Sequence, residues 1–152
     1  MSNIEIKHPT DEDIQFVAEN LRVPDKIEFA ASTGRSPKRV FKRSCKASDI
    51  LYCAYVDGTP VAVFGLTHLT GRSAPWFMGT DALEGTKVAK AMLVEGRKFF
   101  KQWASQYGVL SNHAHSENEL HLKYIRALGC ELLDPKPYGA LRFPFTQFIY
   151  YP

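Results

Sequence analysis

The sequence predicts an α/β fold with a mixed, mainly antiparallel central sheet and helices on both faces, formed as a single domain over residues 1–152. Three observations lead there. An apolar, aromatic run at residues 50–56 is followed by Asp57-Gly58 and a second apolar run at 61–66, which is the signature of a tight β-hairpin. A long amphipathic helix is predicted over 86–106, with Val88, Met92, Phe99 and Trp103 on one face and Ala89, Leu93 and Phe100 beside them. After it, a short strand, a helix and an aromatic tail alternate. Antiparallel strands first and strand–helix units later describe a mixed sheet covered on its two faces.

The elements follow in order. Ile4 and Ile6 alternate with Glu5 and Lys7 as a short first strand. Thr10 is placed to cap a helix, and Asp11, Glu12 and Asp13 suit its positive end. Pro24 ends or kinks that helix, and a second short one is predicted up to Gly34. Ser36-Pro37 restarts the chain as a third helix, with a capping serine and a proline in the first turn. This helix carries Lys38, Arg39, Lys42, Arg43 and Lys46 outward and Val40 and Phe41 inward. A loop at 70–73 precedes a strand at 74–78, where Pro75 is expected at the start or at an irregularity because it has no N–H for the ladder. Gly96 weakens the long helix but permits close packing, and Gly108 ends it. A strand is predicted over 109–114, then a helix capped by Asn118 and closed by Gly129, then one or two strands in the tail.

Composition narrows the function classes. Hydrophobic residues make up 45% and charged residues 23%, an ordinary globular balance that argues against disorder. A formal charge of +3 does not by itself indicate nucleic-acid binding. Cys45, Cys53 and Cys130 are widely spaced and odd in number, so reduced thiols are the simpler expectation. The N-terminal stretch lacks the apolar core of a leader peptide, and no apolar run approaches the roughly 20 residues of a spanning helix. Secretion and membrane insertion are disfavoured on these grounds.

The element order resembles that of the GCN5-related N-acetyltransferases, the GNAT family. Many members carry an asparagine at the start of the last helix, a small residue three positions on, a tyrosine seven positions on and a closing Gly-Phe pair. Here the series is Asn118, His121, Ile125 and Gly129-Cys130, so the register is kept while the tyrosine and phenylalanine are replaced. The run Trp76-Phe77-Met78-Gly79-Thr80-Asp81, the basic amphipathic helix, and Asn118, His121 and Gly129 together resemble more narrowly a group of small proteins of T7-type phages, described as internal virion proteins or as acetyltransferases. That resemblance implies a protein made in the bacterial host cytoplasm, present in the virion interior or active in assembly, with other virion proteins or a host protein as partner.

The GNAT resemblance also implies an acetyl-CoA site. A pyrophosphate is well held by backbone N–H groups at a helix N-terminus. The family loop there has a basic or amide residue, then Gly-x-Gly or Gly-x-Ala. In this chain Gly85 stands for the first glycine, Lys87 occupies the second small position, and Ala82 replaces the basic residue. Asp81 and Glu84 oppose a pyrophosphate, and Lys87 and Lys90 partly offset them. The residues placed around the cofactor are Met78, Thr80, Gly85, Thr86, Lys87 and Asn118. The plain alternative is a capped turn.

Acetyl transfer needs a base for the amine and an acid for the thiolate. Tyr124 is the nearest replacement for the family tyrosine, one position off and therefore about 100° around the helix. Its plainer reading is a packed side chain. His113, His115 and His121 cluster with Glu117, and His113 is the candidate base. Their spacing matches no zinc pattern, so no metal is expected. Cys130 is expected to pack rather than react. The basic helix at 38–46 reads as a solvated face, without the aromatic interleaving of a nucleic-acid surface. Three functions follow in order: a GNAT-like phage protein with a degenerate cofactor site, an active N-acetyltransferase acting on a host protein or small amine, and a nucleic-acid-binding accessory protein.

Overall fold

A computed structural model describes residues 4–152. The first three residues, and with them the start of the N-terminal stretch read for a leader, lie outside the described residues. Strand β1 (Ile4–Lys7) is followed by helices α1 (Asp11–Glu19), α2 (Val23–Thr33) and α3 (Pro37–Ala47). Three strands come next, β2 (Ile50–Val56), β3 (Thr59–Leu69) and β4 (Arg72–Gly79). A 3-10 turn (Asp81–Glu84) leads into α4 (Thr86–Tyr107), then β5 (Leu110–His115), α5 (Glu119–Leu128), β6 (Glu131–Leu132), β7 (Lys136–Tyr138) and β8 (Phe143–Tyr150). The tail therefore holds three strands rather than one or two.

The local chemistry explains most of these bounds. Thr10 and Asp13 form a reciprocal capping box at α1. Pro24 opens α2 instead of ending α1, because a proline in the first turn removes an N–H that has no helical partner. Gly34 closes α2 in the left-handed conformation (φ 68°). Ser36 sits at the start of α3 but makes no side-chain cap hydrogen bond, with Pro37 supplying the preset φ. Asp57 and Gly58 both have positive φ, the two-residue hairpin turn that matches the strand twist.

The sheet runs β1-β2-β3-β4-β5-β8-β6, with β7 pairing β8 outside that path. Every pairing is antiparallel except β4 with β5, which are parallel and meet only at Ser73 and Leu110. Helices α1 to α3 cover one face, where Val17, Phe29, Phe41, Cys53 and Val63 form one core cluster. Helices α4 and α5 cover the other, around Phe64, Leu66, Trp103, Leu110 and Ile125. Phe41 and Leu66 are wholly buried, and burying a side chain of that size contributes about 1.5–3 kcal/mol.

Candidate functional site

The lone contact between β4 and β5 makes the two strands diverge, and the opening between them is the centre of the site. Alternation decides which backbone groups face it. Ser73 donates its N–H to Val109, Gly79 donates its N–H to Asp25, and Pro75 accepts from the Asn112 amide. Residues 73, 75, 77 and 79 thus turn their peptides away from β3 and toward the gap. Pro75 lies inside β4, paired with Leu66, not at its start. It is tolerated because its nitrogen faces the opening, where no ladder continues. On the other side His115 donates its N–H to Glu28 and Ser111 accepts from Arg72, so residues 111, 113 and 115 face the gap from β5.

Two carboxylates of α2 fill this opening. Asp25 and Glu28 are 2% and 4% exposed and lie three residues apart on one helix face. Asp25 accepts from the Gly79 N–H at 3.0 Å, the Asn118 Nδ2 at 3.1 Å and the Arg22 guanidinium at 3.0 Å. Glu28 accepts from the His115 N–H at 2.6 Å, and its other oxygen lies 3.4 Å from His121 Nδ1. That last contact is an ion-pair distance without hydrogen-bond alignment, since Nδ1 has no aligned partner. Arg22 is itself 4% exposed. Buried charges are expensive unless paired and hydrogen-bonded; this group pairs its charges but leaves Arg22 Nε and His121 Nδ1 buried without a hydrogen-bond partner.

Titration behaviour follows from the burial. Burial opposes the charged His121 ring, yet Glu28 and Asp25 together outweigh it and hold its pKa above the ordinary histidine value. Burial pushes the Asp25 carboxyl up, against the pull of His121, the Gly79 N–H and Arg22. His113 is shifted down by burial and then by Arg72, which keeps its ring neutral.

The residues singled out from sequence divide into those at the gap and those beside it. Asn118 stands at the start of α5 but makes no cap bond, because the buried Asp25 carboxylate takes its side chain. Its Oδ1 is left without a partner. Met78 is 5% exposed in the α1–α3 core, and by alternation its peptide belongs to the β3 ladder, so Phe77 and Gly79 carry the gap-facing groups instead. Thr80 accepts from the Ala82 N–H and donates to Val61, which organises the 3-10 turn.

Gly85, Thr86 and Lys87 lie at the start of α4, exposed, with no side-chain cap. Gly85 has φ −71° and room for a Cβ, whose nearest neighbour is the Ala82 carbonyl at 3.5 Å. Its own N–H is spent on that carbonyl. Gly79 is the glycine that the geometry requires, since a Cβ there falls 2.3 Å from Leu83 and 2.6 Å from the Val61 carbonyl.

Tyr124 is turned into the α4–α5 interface. Its hydroxyl donates to the Met92 carbonyl at 2.9 Å, its ring stacks on Phe77, and Gly96 leaves the space it fills. Burial raises its pKa well above the ordinary phenol value. His113 stacks on Tyr138 with ring centroids 4.0 Å apart, and its Nδ1 is buried without a partner. His115 is buried against Phe145 and Phe143. Among the described residues no group of three or more His, Cys, Asp or Glu could hold a metal ion. Cys45, Cys53 and Cys130 are free and buried, with thiols pushed up by burial to about 12, 11 and 12.

Two cavities flank the carboxylate pair. One of about 270 Å³ lies beside β5 and is lined by Glu28, Trp76, His113, His121 and Tyr138. The other, of about 320 Å³, lies between α4 and α5 and is lined by Asp25, Leu83, Lys90, Leu93, His121 and Tyr124. Phe77 and His121 border both. Asp25 and Glu28, central to all of this, escape a sequence reading because two acids three apart on a helix ordinarily mark its solvent face.

A sheet opened by one parallel contact, with three helices on one face and two on the other, is the fold of the GNAT acetyltransferases, and solved structures match it along almost the whole chain. A ribosomal-protein-S5-alanine acetyltransferase from Vibrio fischeri superposes with a TM-score of 0.64 at 13% identity, covering 99% of this chain and 96% of that one. A GNAT-family acetyltransferase from Bacillus anthracis gives 0.68 at 9% identity, with 99% and 96% covered. A ribosomal L7/L12 alpha-N-protein acetyltransferase, solved in complex with coenzyme A, gives 0.67 at 8% identity, with 97% and 93% covered. No family model and no curated protein sequence matches the chain. No helix among the described residues is long and apolar enough to cross a membrane.

Proposed function

We propose that this chain is a GNAT-fold protein of a T7-type phage whose acetyl-CoA site is degenerate, and that it acts as an internal virion or virion-assembly protein. Its partners are other virion proteins or a host protein, met in the host cytoplasm or the virion interior. The observation that carries the reading is the placement of Asp25 and Glu28 on the Gly79 and His115 N–H groups. The arm of coenzyme A carries amides, and the free edge of a diverging strand is what such a group would pair with. Here those donors are already satisfied by carboxylates whose removal would strand Arg22 and His121.

The loop agrees. A pyrophosphate cradle needs N–H groups that converge on open space. The Gly85 N–H is spent inside the 3-10 turn, its conformation needs no glycine, and Asp81 and Glu84 stand exposed beside it. Tyr124, bonded to Met92, has no free hydroxyl to offer a leaving thiolate. The residues present do not fit acetyl-CoA. The phage assignment rests on the resemblance of residues 76–81, Asn118, His121 and Gly129.

Calorimetric titration with acetyl-CoA tests the cofactor half, with no saturable binding expected up to millimolar ligand. Mass spectrometry of purified particles of the encoding phage tests the other half, and absence of the chain from them leaves only an assembly or host-directed role.

One observation favours a second reading, an active N-acetyltransferase. The two cavities meet at His121 and Phe77, and by alternation the Phe77 peptide faces the gap with no strand partner. In that reading α2 withdraws its carboxylates to admit the cofactor, and saturable binding of acetyl-CoA with transfer to an amine would establish it.

A further inference from the structure

The cations of this chain are unevenly placed. Residues 35–46 contain six (Arg35, Lys38, Arg39, Lys42, Arg43 and Lys46) and no acid. The chain has 19 Lys and Arg against 16 Asp and Glu, so with those six set aside the remainder holds 13 against 16 and is net −3. The modest total of +3 therefore hides a strongly basic segment on an acidic body.

The fold presents that segment outward. Phe41 and Cys45 anchor α3 in the core at 0% and 5% exposure. Lys38, Arg39, Lys42, Arg43 and Lys46 point the other way and border an open groove of about 440 Å³. None of the ion pairs found among the described residues involves them. Steps of four residues on a helix advance about 6 Å, so positions 38, 42 and 46, and 39 and 43 beside them, form a regular double row along α3.

We infer that this face of α3 is a docking surface for the phosphate backbone of duplex nucleic acid, read without regard to base sequence. The choice among polyanions follows from what the surface lacks. Protein interfaces have an apolar or aromatic centre and are depleted in Lys, whereas this groove is bordered by three Lys, two Arg and one Ser. Single-strand binding uses aromatic platforms for stacked bases, and no aromatic side chain borders the groove. Rows of Lys and Arg alone are suited to phosphates. The face expected to be solvated is exposed along α3 and carries a regularly spaced charge array.

Fluorescence anisotropy with a labelled duplex, titrated across salt concentrations, tests the inference. Engagement of about four phosphates gives a slope of about −3.6 in log K against log salt, or a roughly 150-fold loss of affinity between 50 mM and 200 mM. The variant carrying Lys38→Gln, Arg39→Gln, Lys42→Gln and Arg43→Gln should lose both affinity and slope while keeping the wild-type circular dichroism and melting temperature. Lys98→Gln with Lys101→Gln, on α4 across the sheet, should change binding by less than about twofold. No binding by the wild type at low salt, or equal losses in the two variants, overturns the inference. So does tighter binding of a single strand than of the duplex, or displacement of the duplex by polyglutamate at equal charge, which would assign the groove to an acidic protein.

Discussion

Replacing Asp25 by alanine removes the acceptor shared by the Gly79 N–H, the Asn118 amide and the Arg22 guanidinium. Arg22 is 4% exposed and cannot regain water without opening the end of α2. Breaking a buried pair by deleting one partner costs about 3–5 kcal/mol, because the other charge stays buried and uncompensated. The two stranded N–H donors lie in the same network, so their cost of about 1–3 kcal/mol each is partly contained in that figure. Against a typical stability of about 5–15 kcal/mol the loss is large. At about 2–4 °C per kcal/mol for a chain of this size, the melting temperature should fall by roughly 6–20 °C. Urea unfolding measured by circular dichroism reads it directly. Asp25→Asn keeps the shape but leaves the Arg22 charge unpaired and turns an amide N–H toward a donor, so it should recover little of the loss. Pairing Asp25→Ala with Arg22→Met should recover part of the loss, since no charge is then left unpaired. A loss below about 1 kcal/mol for Asp25→Ala would refute the claim that these carboxylates are structural plugs of the gap.

The His121 ring, held above its ordinary pKa by Glu28 and Asp25 against burial, binds its proton more tightly folded than unfolded. Its contribution is complete below the unfolded value and is lost as pH rises through the folded one. Unfolding free energy should therefore decline as pH rises above the ordinary histidine value of about 6.5, and His121→Asn should flatten the decline; stability rising with pH there would contradict it. Gly96→Ala places a Cβ 2.2 Å from the Tyr124 hydroxyl, and despite better helix propensity it should destabilise by about 1–2 kcal/mol. In a Tyr124→Phe background, itself costing about 1 kcal/mol for the bond to Met92, the same change should cost less, the remainder set by Leu128 Cδ2 at 2.9 Å from the new Cβ. Gly85→Ala should be tolerated within about 0.5 kcal/mol because its conformation and space are ordinary, whereas Gly79→Ala should prevent normal folding, as a comparison of soluble yield and thermal melts would show.

Local signals carried the fold a long way. The Asp57-Gly58 turn, the Thr10 cap, the closing glycines Gly34 and Gly129, and the apolar face of α4 each depend on a few neighbouring residues, and each stands as expected. Departures occur where a distant group intervenes. Asn118 was suited to cap α5, but Asp25, 93 residues away, binds its amide. Pro75 sits inside β4 because of the gap beside it, a property of the pairing between β4 and β5 that neither strand states alone. The same reason hid the centre of the site. Nothing in the run Val23-Pro24-Asp25-Lys26-Ile27-Glu28 announces that its acids are buried while Val23 and Ile27 are 62% and 47% exposed. The departure of the loop from the family pattern was legible, because Lys87 and Ala82 replace specific residue types at specific places.

The single Ser73–Leu110 contact between β4 and β5 also bears on how the molecule is assembled. Strands β1 to β4 are joined by short turns or by helices packed on the same sheet, so residues 4–79 form one contiguous block. The pairing of β5 with β8 needs the end of the chain. The first block already contains Arg22, Asp25 and Gly79, which bond to one another, whereas His115 and His121 beside Glu28, and Asn118 on Asp25, belong to the second. The acidic pair thus straddles the two blocks, with Asp25 held by Arg22 and Gly79 of the first and Glu28 held by His115 and His121 of the second.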